Sequence, residues 1–185
     1  MRHIKYLIYI FVTSVFAPVA FSAGVPFPTL QFLVGNWEAE SKPGEASAHF
    51  EFSLDLQGKI LVRRNHVEYP ATPGQQAVVH DDLLVTYQEG IPASTRATYF
   101  DSEGYVARYA VTSTGPGQVV FVSESVAKIA RYRLTYTQLP DGRINAKLEV
   151  APPGKPNVFA NYLEWVSKRV TRNQSDTAVT PPAKP

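Results

Sequence analysis

The 185-residue sequence contains no cysteine. A chain without thiols forms no disulfide, no thiolate metal site, no cysteine nucleophile and no lipoprotein linkage through cysteine. A disulfide-free domain must therefore be held together by its own hydrophobic core. The length suits one domain with one such core.

Charge is also scarce, because only 18% of the residues are Asp, Glu, Lys or Arg and the formal net charge is +2. Two of the 18 cationic residues, Arg2 and Lys5, belong to an N-terminal segment that we expect to be removed, which leaves 16 cations against 16 anions. No run of Lys or Arg remains. The sequence therefore predicts neither nucleic-acid binding nor a strongly basic membrane-binding patch.

Long hydrophobic runs are missing except at the N-terminus. A basic start is followed by an apolar run over Tyr6–Phe16, a break at Pro18 and then small residues. This pattern predicts a secretory signal peptide over residues 1–22, cleaved after Ser22 with Ala20 at the −3 position. A retained membrane anchor is the alternative, but the run is shorter than the roughly 20 residues of a membrane span. We therefore expect a periplasmic or secreted bacterial protein.

The rest of the chain alternates between short strand-like segments and turn residues. Each segment is rich in Val, Ile, Tyr, Phe and Thr, several alternate in polarity with a period of two, and Gly, Pro, Asn or Asp separates most of them. The predicted strands are Asn36–Ser41, Ala48–Leu54, Lys59–Tyr69, His80–Gln88, Thr95–Phe100, Val106–Thr112, Gln118–Ser123, Ala130–Gln138, Arg143–Val150 and Ala160–Val170.

These strands predict an all-β domain over residues 23–170. We expect a single antiparallel up-and-down β-barrel of about ten strands, because closure removes the two exposed edges of an open sheet. A short helical turn before the first strand is expected to cap one end, and a two-sheet sandwich is the alternative. The tail over residues 171–185 is polar and proline-containing and is predicted to be disordered.

The block Leu33–Glu40, with Gly35 and Trp37, resembles the lipocalin signature and, more closely, nitrobindin-type barrels and a related uncharacterised group of exported bacterial calycin-like proteins. The resemblance implies a ten-stranded barrel whose Trp37 packs across the closed end, with Arg169 stacked on its ring. Four further runs resemble the uncharacterised group in particular: Leu61–His66, Glu68–Pro70, His80–Leu83 and Tyr99–Gly104.

Nitrobindin-like proteins bind haem through a histidine near the start of the final strand. This chain has no histidine after His80, and Tyr162 is the candidate ligand in the corresponding region. Haem binding is therefore an alternative rather than the main prediction, and we predict no resident cofactor.

The third and fourth predicted strands carry the candidate ligand site. Polarity alternation predicts that Arg63 and Asn65 point into the barrel beside Leu83, Val85 and Tyr87. A buried arginine needs a partner, which is either an internal Asp or Glu or the carboxylate or phosphate of a ligand. Several tyrosines and arginines on other strands are further candidates for the lining, and Tyr99 and Arg133 are the ones we select.

A metal site is the second possibility. If Glu68 pairs opposite Asp82, then His66, Glu68, His80 and Asp82 share one face and could hold zinc or support acid–base chemistry. Solvated polar side chains near a hairpin end are the simpler interpretation.

No hydrolase, metalloprotease or phosphate-loop motif is present, so we do not expect an enzyme. The main prediction is an exported barrel that binds a small apolar or amphipathic ligand in its cavity, with a possible anionic head group. The alternatives are a metal- or haem-dependent protein and a structural cell-envelope module whose barrel is filled with side chains.

Overall fold

The structure, a computed structural model, describes residues 27–171. The predicted signal peptide and all but the first residue of the predicted tail lie outside this range. No helix in the described range is long and apolar enough to cross a membrane. The elements are η1 (Pro28–Leu33), β1 (Gly35–Ala39), β2 (Ser47–Asp55), η2 (Leu56–Gly58), β3 (Ile60–Tyr69), β4 (Val78–Glu89), β5 (Ser94–Asp101), β6 (Val106–Gly115), β7 (Gln118–Ser123), β8 (Arg131–Gln138), β9 (Ile144–Ala151) and β10 (Ala160–Val170).

The ten strands form one closed antiparallel barrel in sequence order, with β1 paired to both β2 and β10. Trp37 lies opposite Phe50 on one side and Arg169 on the other. The prediction of an all-β barrel is confirmed. The alternative of a two-sheet sandwich is wrong, because the closed barrel leaves no free sheet edge among the described strands.

The core fills the barrel toward the end where β1 begins. Alternate residues of each strand point inward, and the largest of them are fully buried aromatic rings. The Tyr136 ring meets those of Phe52 and Phe121 edge-on, at centroid distances of 5.6 and 6.1 Å. Fully burying one such side chain stabilises a fold by about 1.5–3 kcal/mol.

The 3-10 helix η1 closes this end. Phe27 adopts a left-handed conformation, with φ of 47°, and Pro28 starts the turn. Leu30 and Leu33 are buried in the barrel core. Trp37 Nε1 donates a hydrogen bond of 2.7 Å to the carbonyl of Leu33, which ties the plug to β1.

Arg169 completes the closed end from the last strand. Its guanidinium lies 4.4 Å from the centre of the Trp37 ring and donates to the carbonyls of Val34 and Phe32. The predicted stacking of Arg169 on Trp37 is thus present in the structure. Gly35 has a φ of 132°, and a Cβ at that position would collide with the Arg169 guanidinium.

Candidate functional site

The pairing of β3 with β4 decides which polar side chains enter the barrel. Arg63 and Asn65 point inward, where the sequence predicts them. Asn65 lies opposite Asp82 and Arg63 lies opposite Leu84, so these β4 residues share the inner face. The prediction that Leu83, Val85 and Tyr87 face inward is therefore wrong. The more apolar face of β4 is the outer one, because the barrel interior accepts polar groups that neutralise each other.

Inside the barrel, Arg63 forms a buried ion pair with Asp82, whose two side chains are 7% and 5% exposed. Arg63 Nη1 also donates to the Tyr136 hydroxyl at 2.6 Å, and Asn65 Nδ2 donates to the second Asp82 oxygen at 2.8 Å. The partner of the buried arginine is thus an internal carboxylate. Its Nε is buried without a hydrogen-bond partner in the described part of the chain.

The charge state of this group follows from its surroundings. Burial by itself lowers the pKa of Arg63, but Tyr136 and Asp82 outweigh it and hold that pKa above its ordinary value. Burial also raises the pKa of Tyr136. The phenol is therefore neutral, and Asp82 is the counter-ion of Arg63. A ligand anion would have to displace Asp82 to use this guanidinium.

His80 extends the polar group to the open end of the barrel. Its Nε2 lies 3.3 Å from the Tyr99 hydroxyl and 3.8 Å from Asp82 Oδ2, and its Nδ1 lies 3.2 Å from Glu103 Oε1. The Glu103 side chain is 71% exposed, whereas that of Asp82 is buried. A line of titratable groups thus connects solvent to the interior ion pair.

Three tyrosine rings line the same end, and we call them the tyrosine arc: Tyr99, Tyr105 and Tyr132. The centre of the Tyr105 ring lies 6.4 Å from the ring centres of Tyr99 and Tyr132. Burial raises the pKa of Tyr99 and of Tyr105, so both phenols are neutral hydrogen-bond donors at physiological pH. Tyr99 and Tyr132 are half-buried and Tyr105 is exposed, in contrast to the fully buried rings at the closed end.

Two of the selected lining residues lie outside the barrel. Tyr87 is on the outer face of β4 opposite Arg96. Arg133 donates to both Glu149 oxygens at 2.6 and 2.8 Å and covers the Phe159 ring at 4.4 Å. The structure therefore corrects their predicted role as cavity lining.

The four predicted metal ligands do not come together. Glu68 pairs with Val79 rather than Asp82, so His66 and Glu68 point outward while His80 and Asp82 point inward. Within residues 27–171 no group of three or more His, Cys, Asp or Glu residues is placed to hold a metal ion. The assumed register is wrong by three residues, and an odd shift moves a strand's side chains to the opposite face.

Outside the barrel, His66 forms its own ion pairs. Its ring nitrogens lie 2.7 Å from Asp81 Oδ1 and 3.1 Å from Glu68 Oε1. The hydrogen bond to Asp81, followed by that to Glu68, raises the pKa of His66.

The candidate haem ligand, Tyr162, lies at a bulge in β10 and is 71% exposed, so haem ligation by this residue stays a prediction.

A groove of about 600 Å³ crosses the outer face of the barrel, and we call it the transverse groove. A row of residues that lie side by side on neighbouring strands, with their side chains inside the barrel, forms the floor of the groove with its backbone. The rows before and after it have their side chains outside the barrel, and these side chains form the two walls. The wall residues are Asn36, Glu51, Arg64, Leu83, Phe100 and Val170 on one side, and His49, His66 and Asp81 on the other. This volume is typical of small-molecule sites.

The positions of Tyr105 and Glu103 at the open end were not evident from the sequence. Tyr105 and Glu103 belong to a segment that predicts only a hairpin around Gly104. The turn brings both residues over the open end, which no local pattern indicates.

No protein-family model matches this chain, and no curated protein sequence is similar to it.

Proposed function

We propose that this protein binds a small, largely apolar ligand at the open end of its barrel, through the tyrosine arc and His80. The observation that carries the proposal is the difference between the two ends. At the closed end aromatic side chains fill the interior, whereas at the open end the tyrosine arc is partly exposed beside an inward-facing imidazole.

The chemistry of the open end suits an uncharged or weakly basic ligand. Aromatic rings stack on planar apolar groups, and the Tyr99 hydroxyl, which contacts the His80 ring, has capacity for a further hydrogen bond to one polar substituent. Asp82 and Glu103 place carboxylates beside the same imidazole, and Arg63 is already neutralised. An anionic head group is therefore not part of the proposal.

We also propose that the protein is exported before it binds its ligand. The N-terminal pattern around Tyr6–Phe16 supports export. We therefore place the binding event in the periplasm or outside the cell, where a disulfide-free barrel has to fold on its own core.

The test is a fluorescence titration with N-phenyl-1-naphthylamine, a neutral apolar probe. We expect Tyr105→Ala to weaken binding about tenfold, because it removes the central ring of the arc. Tyr99→Phe keeps its ring and loses only the hydroxyl, so it should leave this probe's affinity unchanged. The matched control is Tyr87→Ala, which removes an identical side chain from the outer face.

The transverse groove is the second candidate, favoured by its volume and by Arg64, which has no ion-pair partner in the described part of the chain. Arg64→Ser and Phe100→Ser should leave probe binding unchanged if the open end is the site. Loss of binding in these variants, with Tyr105→Ala unaffected, would move the site to the groove. No binding by the unmodified protein would contradict both assignments.

A further inference from the structure

Two loops at the open end expose apolar side chains at the tips of tight turns. In the β7–β8 loop the amide of Ile129 donates to the carbonyl of Val126 at 3.2 Å, and in the β9–β10 loop the amide of Val158 donates to Lys155 at 3.0 Å. Val126, Ile129 and Val158 are 53%, 47% and 61% exposed. Each turn therefore projects one or two apolar side chains and a lysine, Lys128 or Lys155, into solvent.

Arg131 holds the two loops together. Its Nη1 donates to Asn157 Oδ1 at 2.9 Å in the β9–β10 loop, and its Nε donates to the carbonyl of Ser123 at the end of β7 at 2.7 Å. These acceptors are neutral oxygens, so the positive charge of Arg131 is not cancelled by an ion pair. The loops are thus presented as one surface, the basic rim: Val126, Lys128, Ile129, Arg131, Lys155 and Val158.

The charge of the open end is divided between its two sides. The basic rim has three cations, and Glu124 is the one acidic residue in the two loops. The β3–β5 side of the same end carries carboxylates instead: Glu68, Asp81, Asp101 and Glu103. Lys128 and Arg131 are separated by two apolar residues and Lys155 belongs to a different loop, which is why no run of Lys or Arg indicated a basic patch.

We infer that the basic rim docks on an anionic membrane surface. Convex turns with protruding valine and isoleucine side chains fit a deformable lipid surface, into which they can insert. Lysine side chains beside them keep their ammonium groups at the level of anionic head groups while their stems cover apolar surface. The acidic side of the open end is repelled by the same surface, so the barrel docks tilted onto the β7–β10 side.

The inference stands independently of the proposed ligand. Its test is sedimentation of the full-length protein with vesicles of phosphatidylcholine mixed with phosphatidylglycerol, compared with phosphatidylcholine alone. We expect about tenfold stronger binding to the anionic vesicles and a loss of that difference at high salt. Equal binding to both compositions, or no binding, would overturn the inference.

Two double variants separate the apolar and ionic contributions. Val126→Ser with Val158→Ser, and Lys128→Glu with Lys155→Glu, should each weaken binding to anionic vesicles about tenfold. All four side chains are exposed, so thermal unfolding should be unchanged. The matched control is Ile91→Ser with Lys59→Glu, an exposed apolar residue and a lysine at the closed end. If the control weakens binding equally, the rim is not the docking surface. Probe titration without vesicles tests the ligand site separately.

Discussion

At the scale of single residues, the feature that constrains this protein most is the ion pair between Arg63 and Asp82. Removing two charges from water is costly, and their attraction compensates only when the remaining hydrogen bonds are made. Asn65 and Tyr136 supply such bonds. We therefore expect the pair to specify how β3, β4 and β8 pack more than it adds to net stability.

We expect Asp82→Ala to lower the free energy of unfolding by about 3–5 kcal/mol, because it leaves the Arg63 guanidinium buried without a counter-ion. The double variant Arg63→Met with Asp82→Ala should cost clearly less than the sum of Arg63→Met and Asp82→Ala made singly. Urea unfolding of the four proteins measures the coupling. Strictly additive costs would show that the pair is not coupled in the folded protein.

At the scale of elements, the closed end depends on how η1 enters β1. Gly35 makes this connection with a backbone conformation that favours glycine, and it leaves room for Arg169 above Trp37. The last strand, which pairs with the first along the backbone, thereby also contacts the plug through one side chain. Closure of the barrel and capping of its end are thus linked at a single position.

Gly35→Ala should destabilise the protein by about 1–3 kcal/mol, from backbone strain and from displacement of the Arg169 side chain. In an Arg169→Met background the same change should cost less, because the collision is relieved while the strain remains. Urea unfolding of both pairs distinguishes the contributions. An equal cost in the two backgrounds would mean that Arg169 simply moves aside.

At the scale of the whole molecule, the outer ion pairs make stability depend on pH. His66 has a raised pKa in the folded protein because Asp81 and Glu68 stabilise its protonated form. Glu149 has a lowered pKa because Arg133 donates to it. The stability that Glu149 contributes is lost as pH falls, and the stability that His66 contributes is lost as pH rises.

The contribution of His66 is fully present below its unfolded pKa of about 6.5 and is lost as pH rises through its higher folded value. We therefore expect the cost of His66→Asn to be a few tenths of a kcal/mol at pH 6 and to vanish in alkaline solution. The cost of Glu149→Gln should behave oppositely, being present at neutral pH and disappearing as acid protonates Glu149. Thermal unfolding across pH measures both. A pH-independent cost of His66→Asn would contradict the assignment.

The fold was accessible from the sequence because strand patterns and turns are local. Each predicted strand overlaps an observed one, with ends that differ by at most three residues. The site was less accessible. Arg63 and Asn65 were placed correctly, but Tyr87 and Arg133 were not, because polarity alone misassigns a face when the interior contains a neutralised ion pair or when an outer arginine covers an aromatic ring.

By itself, the sequence determined the all-β class, the number and order of the strands and the plug before β1, because these depend on short-range periodicity and turn residues. Only the tertiary structure decided the register of β3 against β4, the partner of Arg63 and the separation of His66 from His80. It also decided the assembly of the tyrosine arc and of the basic rim. These depend on contacts between residues far apart in the chain, and a shift of an odd number of residues moves every side chain of a strand to the other face.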